Sequence, residues 1–286
     1  MSCRGYKNLV VNNSDTTKTS VLADAWSSYD PGFFDHLARI ESRHFWFRTR
    51  NKIIATLTEQ ITKNFPDAYR VLEVGCGTGN VLRALQQACP RGTVTGMDLY
   101  AEGLRFARTR TSCPLVQGNL EQPGFGVQFD LIGAFDVVEH LSDDTRVFRS
   151  IHSMLKPNGV LLLTVPAHQS LWSYFDEVSH HCRRYEPEDL RHKLEHSGYE
   201  IEFLSQFMTS IYPLLYLVRR IRSVRRRCYR LNSAKSDRDL SMKELRIVPV
   251  VNGILTFVLN QEAKLIKRRR VLPFGTSIIV AARRVG

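Results

Sequence analysis

An α/β fold built on a doubly wound, mostly parallel sheet is what this sequence predicts, and three observations predict it. From Arg70 onward, short apolar runs alternate with stretches of helical periodicity, at the spacing of strand–helix–strand units. The first of those runs ends in a glycine-rich turn, Gly75-Cys76-Gly77-Thr78-Gly79, which opens a helix. The chain of 286 residues with 43% hydrophobic residues is long enough for one such domain plus a substantial insertion.

The elements follow in order. Residues 1–32 are polar, rich in Ser, Thr, Asn and Asp, and read as an arm. Residues 33–66 read as a helical lid. Within it Phe33 to Asn51 is a helix with the aromatic cluster His44-Phe45-Trp46-Phe47 near its end, and an amphipathic stretch from Ile53 to Ile61 leads to a break at Pro66. The core is placed over 67–206. Arg70–Val74 is the first strand, and a helix through Val81, Leu82 and Leu85 follows the glycine turn. Thr93–Met97 is the second strand, closed by Asp98, with a helix over Glu102–Arg110. Pro114–Val116 and Phe129–Phe135 are the third and fourth strands, the latter followed by a helix from about Asp143 to Leu155. Lys156-Pro157-Asn158-Gly159 is a turn before the apolar fifth strand, Val160–Val165. A helix over Pro187–His196 has acidic residues in its first turn and Gly198 just past its end. Tyr199–Phe203 is the sixth strand. Residues 207–271 form a helical insertion, and 272–286 hold the seventh strand, Thr276–Ala282, and the tail.

The net charge of +12 is concentrated in the insertion. Between Gln206 and Leu272 there are 16 Lys/Arg against 4 Asp/Glu, while the rest of the chain holds 24 of each sign. The six cysteines are scattered with no Cys-x-x-Cys pair, which argues against a zinc knuckle or a disulfide framework and fits a reducing compartment. The first 30 residues contain no continuous apolar stretch of a signal peptide, and no run approaches the ~20 apolar residues that span a bilayer. The expected location is the cytoplasm or the inner face of a membrane.

A strand running into glycines at alternate positions suits close approach of a ligand to the backbone at a helix N-terminus. Around that loop the sequence assembles a set. Asp98 ends the second strand, Gly118-Asn119-Leu120 follows the third, and Phe135-Asp136-Val137-Val138-Glu139-His140-Leu141 leaves the fourth. In this order the residues resemble the class I S-adenosylmethionine-dependent methyltransferases, which implies a Rossmann-like seven-stranded sheet. More narrowly they look like the small-molecule branch that includes ubiquinone-type O-methyltransferases. The resemblance covers Phe33 to Phe207 and resumes at Leu272–Arg284. It implies that S-adenosyl-L-methionine is held with Glu73 at the methionine amino group, and with Gly75, Cys76, Gly77 and Gly79 along the methionine portion. Asp98 would hold the ribose and Leu99 the adenine. Asn119 stands where these enzymes usually have Asp, beside Leu120; an amide oxygen still accepts the adenine amino group. Phe135, Asp136 and His140 would lie along the cofactor's edge. His44 to Arg50 resembles a lid of one branch, with Trp46 over the cofactor and Arg50 at its carboxylate, although the same aromatics also suit plain core packing. A dehydrogenase is disfavoured, because Glu73 before the loop would face a pyrophosphate badly.

Methyl transfer needs alignment, and a base only where the nucleophile carries a proton. Candidate bases cluster after the fourth and fifth strands: His140, His168, His180 and His181, with His140 or His168 favoured. No metal is expected, since His168, His180 and His181 with Asp176 lack ligand spacing. The sequence also lacks the Asn/Asp-Pro-Pro-aromatic element and the Pro-Cys nucleophile of nucleic-acid methylation enzymes.

In the insertion, Leu214, Leu217, Val218 and Ile221 recur at helical spacing opposite a run of arginines. Val250, Val251, Ile254, Phe257 and Val258 repeat the pattern ahead of Lys267-Arg268-Arg269-Arg270. Three readings fit: a cap packed on the body, a hairpin on an anionic membrane surface, and a nucleic-acid footprint, the last less favoured because only Tyr229 lies among the arginines. The expected function is methylation of a small-molecule, lipid-linked or glycan acceptor, with O-methylation favoured. An RNA methyltransferase and a non-catalytic cofactor-binding protein are the alternatives.

Overall fold

The structure, a computed structural model, describes residues 33–121, 124–229 and 246–286; the N-terminal arm of 1–32 lies outside them. Its strands are β1 (Arg70–Val74), β2 (Thr93–Asp98), β3 (Leu115–Gln117), β4 (Phe129–Phe135), β5 (Leu155–Pro166), β6 (Tyr199–Phe207) and β7 (Ser277–Arg284). They form one sheet in the order β3-β2-β1-β4-β5-β7-β6, with β1 to β5 parallel to one another and β7 antiparallel to both β5 and β6. The expected seven-stranded, mostly parallel sheet is therefore present, and the insertion precedes its last strand. Strand order reverses at the β1/β4 boundary, which leaves a crevice at the carboxyl ends of these strands.

The helices are α1 (Phe33–Ile40), α2 (Phe45–Thr62), α3 (Asn80–Ala88), α4 (Ala101–Arg110), α5 (Asp144–Met154), α6 (Tyr174–Val178), α7 (Pro187–His196), α8 (Tyr212–Tyr229) and α9 (Pro249–Lys267). Alternation along buried strands sends side chains to both faces. On one face Val71, Val160, Leu162 and Ala281 pack against Ile53, Leu57, Leu82 and Ala263. On the other, Leu72, Leu161, Leu163 and Val280 pack against Phe148, Ile151, Leu190 and Leu194. Between the strands at one end, Lys156 Nζ bonds both oxygens of Asp130 (2.9 and 2.8 Å), which also accepts from Arg70 N at 2.8 Å.

Three expectations need correcting. The helix expected over Phe33–Asn51 is broken at residues 41–44, and α2 runs unbroken past Asn51. The break is pinned by Glu41, whose buried carboxylate is held by Arg110 and by the Thr78 hydroxyl, and by His44, whose Nδ1 accepts from Trp46 N at 3.3 Å. The Lys156–Gly159 turn lies inside β5 as a bulge, since Phe129 pairs with Leu155 but Leu131 pairs with Val160. Finally, Tyr174–Val178 forms a short helix started by a Ser173/Asp176 capping box, within a segment expected only to supply aromatic walls.

Candidate active site

A cavity of about 540 Å³ opens across the carboxyl ends of β1, β2 and β4. Its floor is the loop after β1. Gly75, Gly77 and Gly79 all have positive φ, and two of the three have an evident packing reason. A Cβ on Gly75 would lie 2.4 Å from Val137 Cγ2, and one on Gly79 would lie 2.8 Å from the Ala107 Cα. Gly77, by contrast, would meet Phe34 at 3.6 Å and no other described residue within 4 Å. The loop's N–H groups are fixed from β2: Asp98 Oδ2 accepts from Gly77 N at 2.6 Å and Oδ1 from Tyr100 N at 2.8 Å. Burial pushes the Asp98 carboxyl up to about 6, against the pull of these backbone donors.

Glu73 sits beneath the loop, buried, and its Oε2 has no hydrogen-bond partner among the described residues. Burial holds its carboxyl well above the usual range; the charge of Arg50 works the other way, and Asp98 and Glu41 add to the rise. Burial, aided by Asp98 and Glu73, likewise pushes the Cys76 thiol well up, so it is neutral and inert in the cavity wall. The opposite wall comes from α2. Arg50 lies 4.8 Å from the Trp46 ring centroid and 5.6 Å from that of Phe47, and it forms an ion pair with Asp136. Asp136 has φ +56, a left-handed conformation held at the end of β4 where the chain must turn toward Arg50.

Past Asp136 the cavity continues. Glu139 is fully buried with both carboxylate oxygens unpartnered among the described residues, and burial reinforced by Asp136 pushes its carboxyl well above the usual range. His140 stands beside it, lowered to about 3 by burial and by neighbouring His181, so its ring is neutral. The rings of His140 and His181 are 4.8 Å apart, edge to face. His181 Nδ1 bonds Asp176 Oδ1 at 2.9 Å, and Asp176 is also bound by Arg184 Nε at 2.7 Å. Burial alone would raise Asp176, but the His181 hydrogen bond and the charges of Arg184 and Arg219 hold it down at about 2. Glu139, His140 and His181 each place one donor atom within 4.8 Å of the others, a grouping that could also hold a cation, whereas the sequence suggested no ligand set.

Most residues singled out from the sequence line this one cavity: Trp46, Arg50, Glu73, Gly75, Cys76, Gly77, Asp98, Leu99, Asn119, Leu120, Phe135, Asp136 and His140. Two do not. Gly79 is turned to α4 and starts α3, serving helix packing. His168 lies off the cavity wall because its ring nitrogens are taken up by Glu186 (2.8 Å) and Gln206 (2.7 Å). Asn119 is present but its amide oxygen accepts from Glu121 N at 2.8 Å, closing a local turn. Sequence reasoning gave no role to Glu41, Glu139, Leu215 or Arg219, which also line the cavity. A buried acid in the Asp-Val-Val-Glu-His element was the one available signal for Glu139.

Strand order and the placement of the glycine loop define a class, the class I S-adenosylmethionine-dependent methyltransferase fold. A family model described as a methyltransferase domain matches residues 44–203, and the chain belongs to that family. It is 28% identical over 162 residues to the ubiquinone biosynthesis O-methyltransferase of Bordetella avium, covering 53% of this chain and 60% of that one. It is 33% identical over 122 residues to the trans-aconitate 2-methyltransferase of Azoarcus sp., covering 42% and 46%. The chain thus spans about half the length of the curated relatives it matches. Among solved structures, the plantazolicin methyltransferase BpumL in complex with SAH aligns with a TM-score of 0.56 at 13% identity, over 94% of this chain and 96% of that one. S-adenosyl-L-methionine is the cofactor of this family, and the site fits it: the orphaned Glu73 oxygen can accept an ammonium, and the Asp98 carboxylate faces the same cavity.

Proposed function

We propose that this chain transfers the methyl group of S-adenosyl-L-methionine to an oxygen of a small acceptor that is lipid-linked or carries a glycan, working against the inner face of a membrane. The supporting observation is the shape of the cavity. It continues from Glu73 and Asp98 past His140 and His181 to Ile211, Leu215 and Thr276, so its far end is walled by α8 and the start of the last strand. That leaves an acceptor compartment beside the cofactor's place, with apolar side chains on one side and ionisable ones on the other.

The cofactor, when bound, supplies an electrophilic methyl group on a sulfonium. Asp98 would accept the ribose hydroxyls, Glu73 would accept the ammonium, and Arg50, which lies over Trp46, would meet the carboxylate. Leu99, Asn119 and Leu120 would border the adenine, and Phe135 and Asp136 the edge facing the acceptor. His181 is the base: its Nδ1 proton is committed to Asp176, which leaves Nε2 to accept the acceptor's hydroxyl proton. His140 is unsuited to that task, because an imidazole lowered to about 3 does not keep a proton at neutral pH. It serves instead as a neutral hydrogen-bonding wall for His181.

The test is methyl transfer from labelled cofactor to a membrane lipid extract, to soluble phenols and glycans, and to RNA. Transfer into the lipid or glycan fraction, lowered about 10²- to 10⁴-fold by His181→Asn with cofactor affinity unchanged, is the expected outcome. Label in RNA alone contradicts the acceptor assignment, and cofactor binding without transfer to any fraction would make the chain a non-catalytic binder.

A further inference from the structure

Helix α8 is built inside out for a helix that faces water. Toward the body it points Leu215 and Arg219, both in the cavity wall, with Arg219 bonded to the Leu171 carbonyl and 3.9 Å from Asp176. Away from the body it points Leu214, Leu217 and Ile221. A cation thus faces in while the predicted apolar stripe faces out. Helix α9 is apolar on two sides. Leu259, Ala263 and Ile266 pack on the sheet layer with α2, while Val250, Ile254 and Phe257 are turned away. These six outward residues have between 50% and 71% of their surface exposed, although removing such side chains from water is favourable. A helix with apolar residues all round normally has a second apolar neighbour.

Charge narrows the choice of neighbour. The outward faces are bordered by cations, with Arg220 beside the α8 stripe and Lys264, Lys267, Arg268, Arg269 and Arg270 at the end of α9. No described helix is long and apolar enough to cross a membrane, so these helices suit lying at an interface. A second copy would set one strongly basic insertion against another and is disfavoured by repulsion. RNA would engage the arginines but would leave the aliphatic side chains in water.

We infer that the outer faces of α8 and α9 dock on an anionic lipid bilayer, with Leu214, Leu217, Ile221, Val250, Ile254 and Phe257 entering the headgroup–acyl boundary. The inference rests on the methyltransferase reading and deepens it. Because the inner face of α8 walls the acceptor end of the cavity, docking presents that end to the membrane, and a lipid-linked acceptor reaches the cavity beneath α8 without crossing bulk water.

The full chain is tested by co-sedimentation with vesicles of phosphatidylglycerol and phosphatidylcholine, and with phosphatidylcholine alone. It is compared with the double variant Ile254→Asp/Phe257→Asp, whose sites are solvent-exposed and leave the fold intact. S-adenosylhomocysteine affinity is measured in parallel as an independent reading of the cofactor site. Binding to the anionic vesicles only, weakened about tenfold or more in the variant while S-adenosylhomocysteine affinity holds, is the predicted result. Unchanged S-adenosylhomocysteine affinity without vesicle binding overturns the docking inference and leaves the methyltransferase reading standing. Displacement from vesicles by RNA, or a dimer in solution that the variant dissolves, overturns it in favour of those partners. Loss of S-adenosylhomocysteine binding by the unaltered chain overturns the reading on which it rests.

Discussion

Asp98 gives the site its pH signature. Its carboxyl titrates near 6 in the folded chain against 3.8 for an ordinary aspartate, so between those values the native state holds a proton that the unfolded chain has lost. The stability this group contributes is therefore present below 3.8 and is lost as pH rises through about 6. Ligand binding has the opposite sense, because the ionised carboxylate is the better acceptor for ribose hydroxyls. S-adenosylhomocysteine affinity measured by titration calorimetry is expected to strengthen up to about pH 6 and then level off, with a slope approaching tenfold per pH unit on the acid side. In Asp98→Asn the same profile flattens. A wild-type profile without the inflection would show that Asp98 does not meet the ligand ionised. Asp98 was legible in the sequence because a carboxylate closing a strand has few places to point, and Glu73 was legible through the family resemblance alone. Arg219 was not, and His181 was named among the candidate bases without being favoured, because their roles depend on partners brought together only by the fold: Asp176 lies 43 positions before Arg219, and the His181–Asp176 pair is closed by the short helix α6.

At the scale of elements, the loop between β1 and α3 is the most constrained. Gly75 combines φ +67 with Val137 2.4 Å from where a Cβ would stand, whereas none of the described residues lies within 4 Å of a Cβ on Gly126. Gly75→Ala is expected to cost about 1–3 kcal/mol in chemical denaturation and to weaken S-adenosylhomocysteine binding, while Gly126→Ala stays within about 0.5 kcal/mol of the parent. Equal stabilities would mean that the loop relaxes around Val137 and does not require glycine for packing. The strands were legible because buried parallel strands are continuous apolar runs, and the glycine loop because its conformation demands that residue type. The break before α2 was not, since it is set by Glu41 meeting Arg110 from a helix 69 positions later. Apolar periodicity also located the insertion helices but could not orient them. A stripe facing the core and a stripe facing outward look the same in sequence, and only the exposure of Leu217 and Phe257 separates them.

Across the whole molecule, the balanced body and the basic insertion divide the labour. Outside residues 206–272 the chain carries equal numbers of each charge sign, and its core places the acids Glu73 and Asp98 in one cavity, while the excess of cations lies in the insertion segment, whose helix α8 walls the far end of that cavity. Both parts share one sheet, because β7 returns from the insertion to pair between β5 and β6. Fold class was thus legible down to strand count, through alternation of strand and helix signals. The far end of the cavity, the proposed acceptor compartment, was not, because its walls come from segments far apart in sequence, such as Phe175, Leu215 and Ser277. The most direct test of the central claim is calorimetric titration of the full chain and of Asp98→Ala with S-adenosylhomocysteine at neutral pH. Saturable one-site binding that weakens at least about tenfold in Asp98→Ala is predicted, from the loss of hydrogen bonds to a charged acceptor. No binding, or the same affinity in both chains, would contradict it.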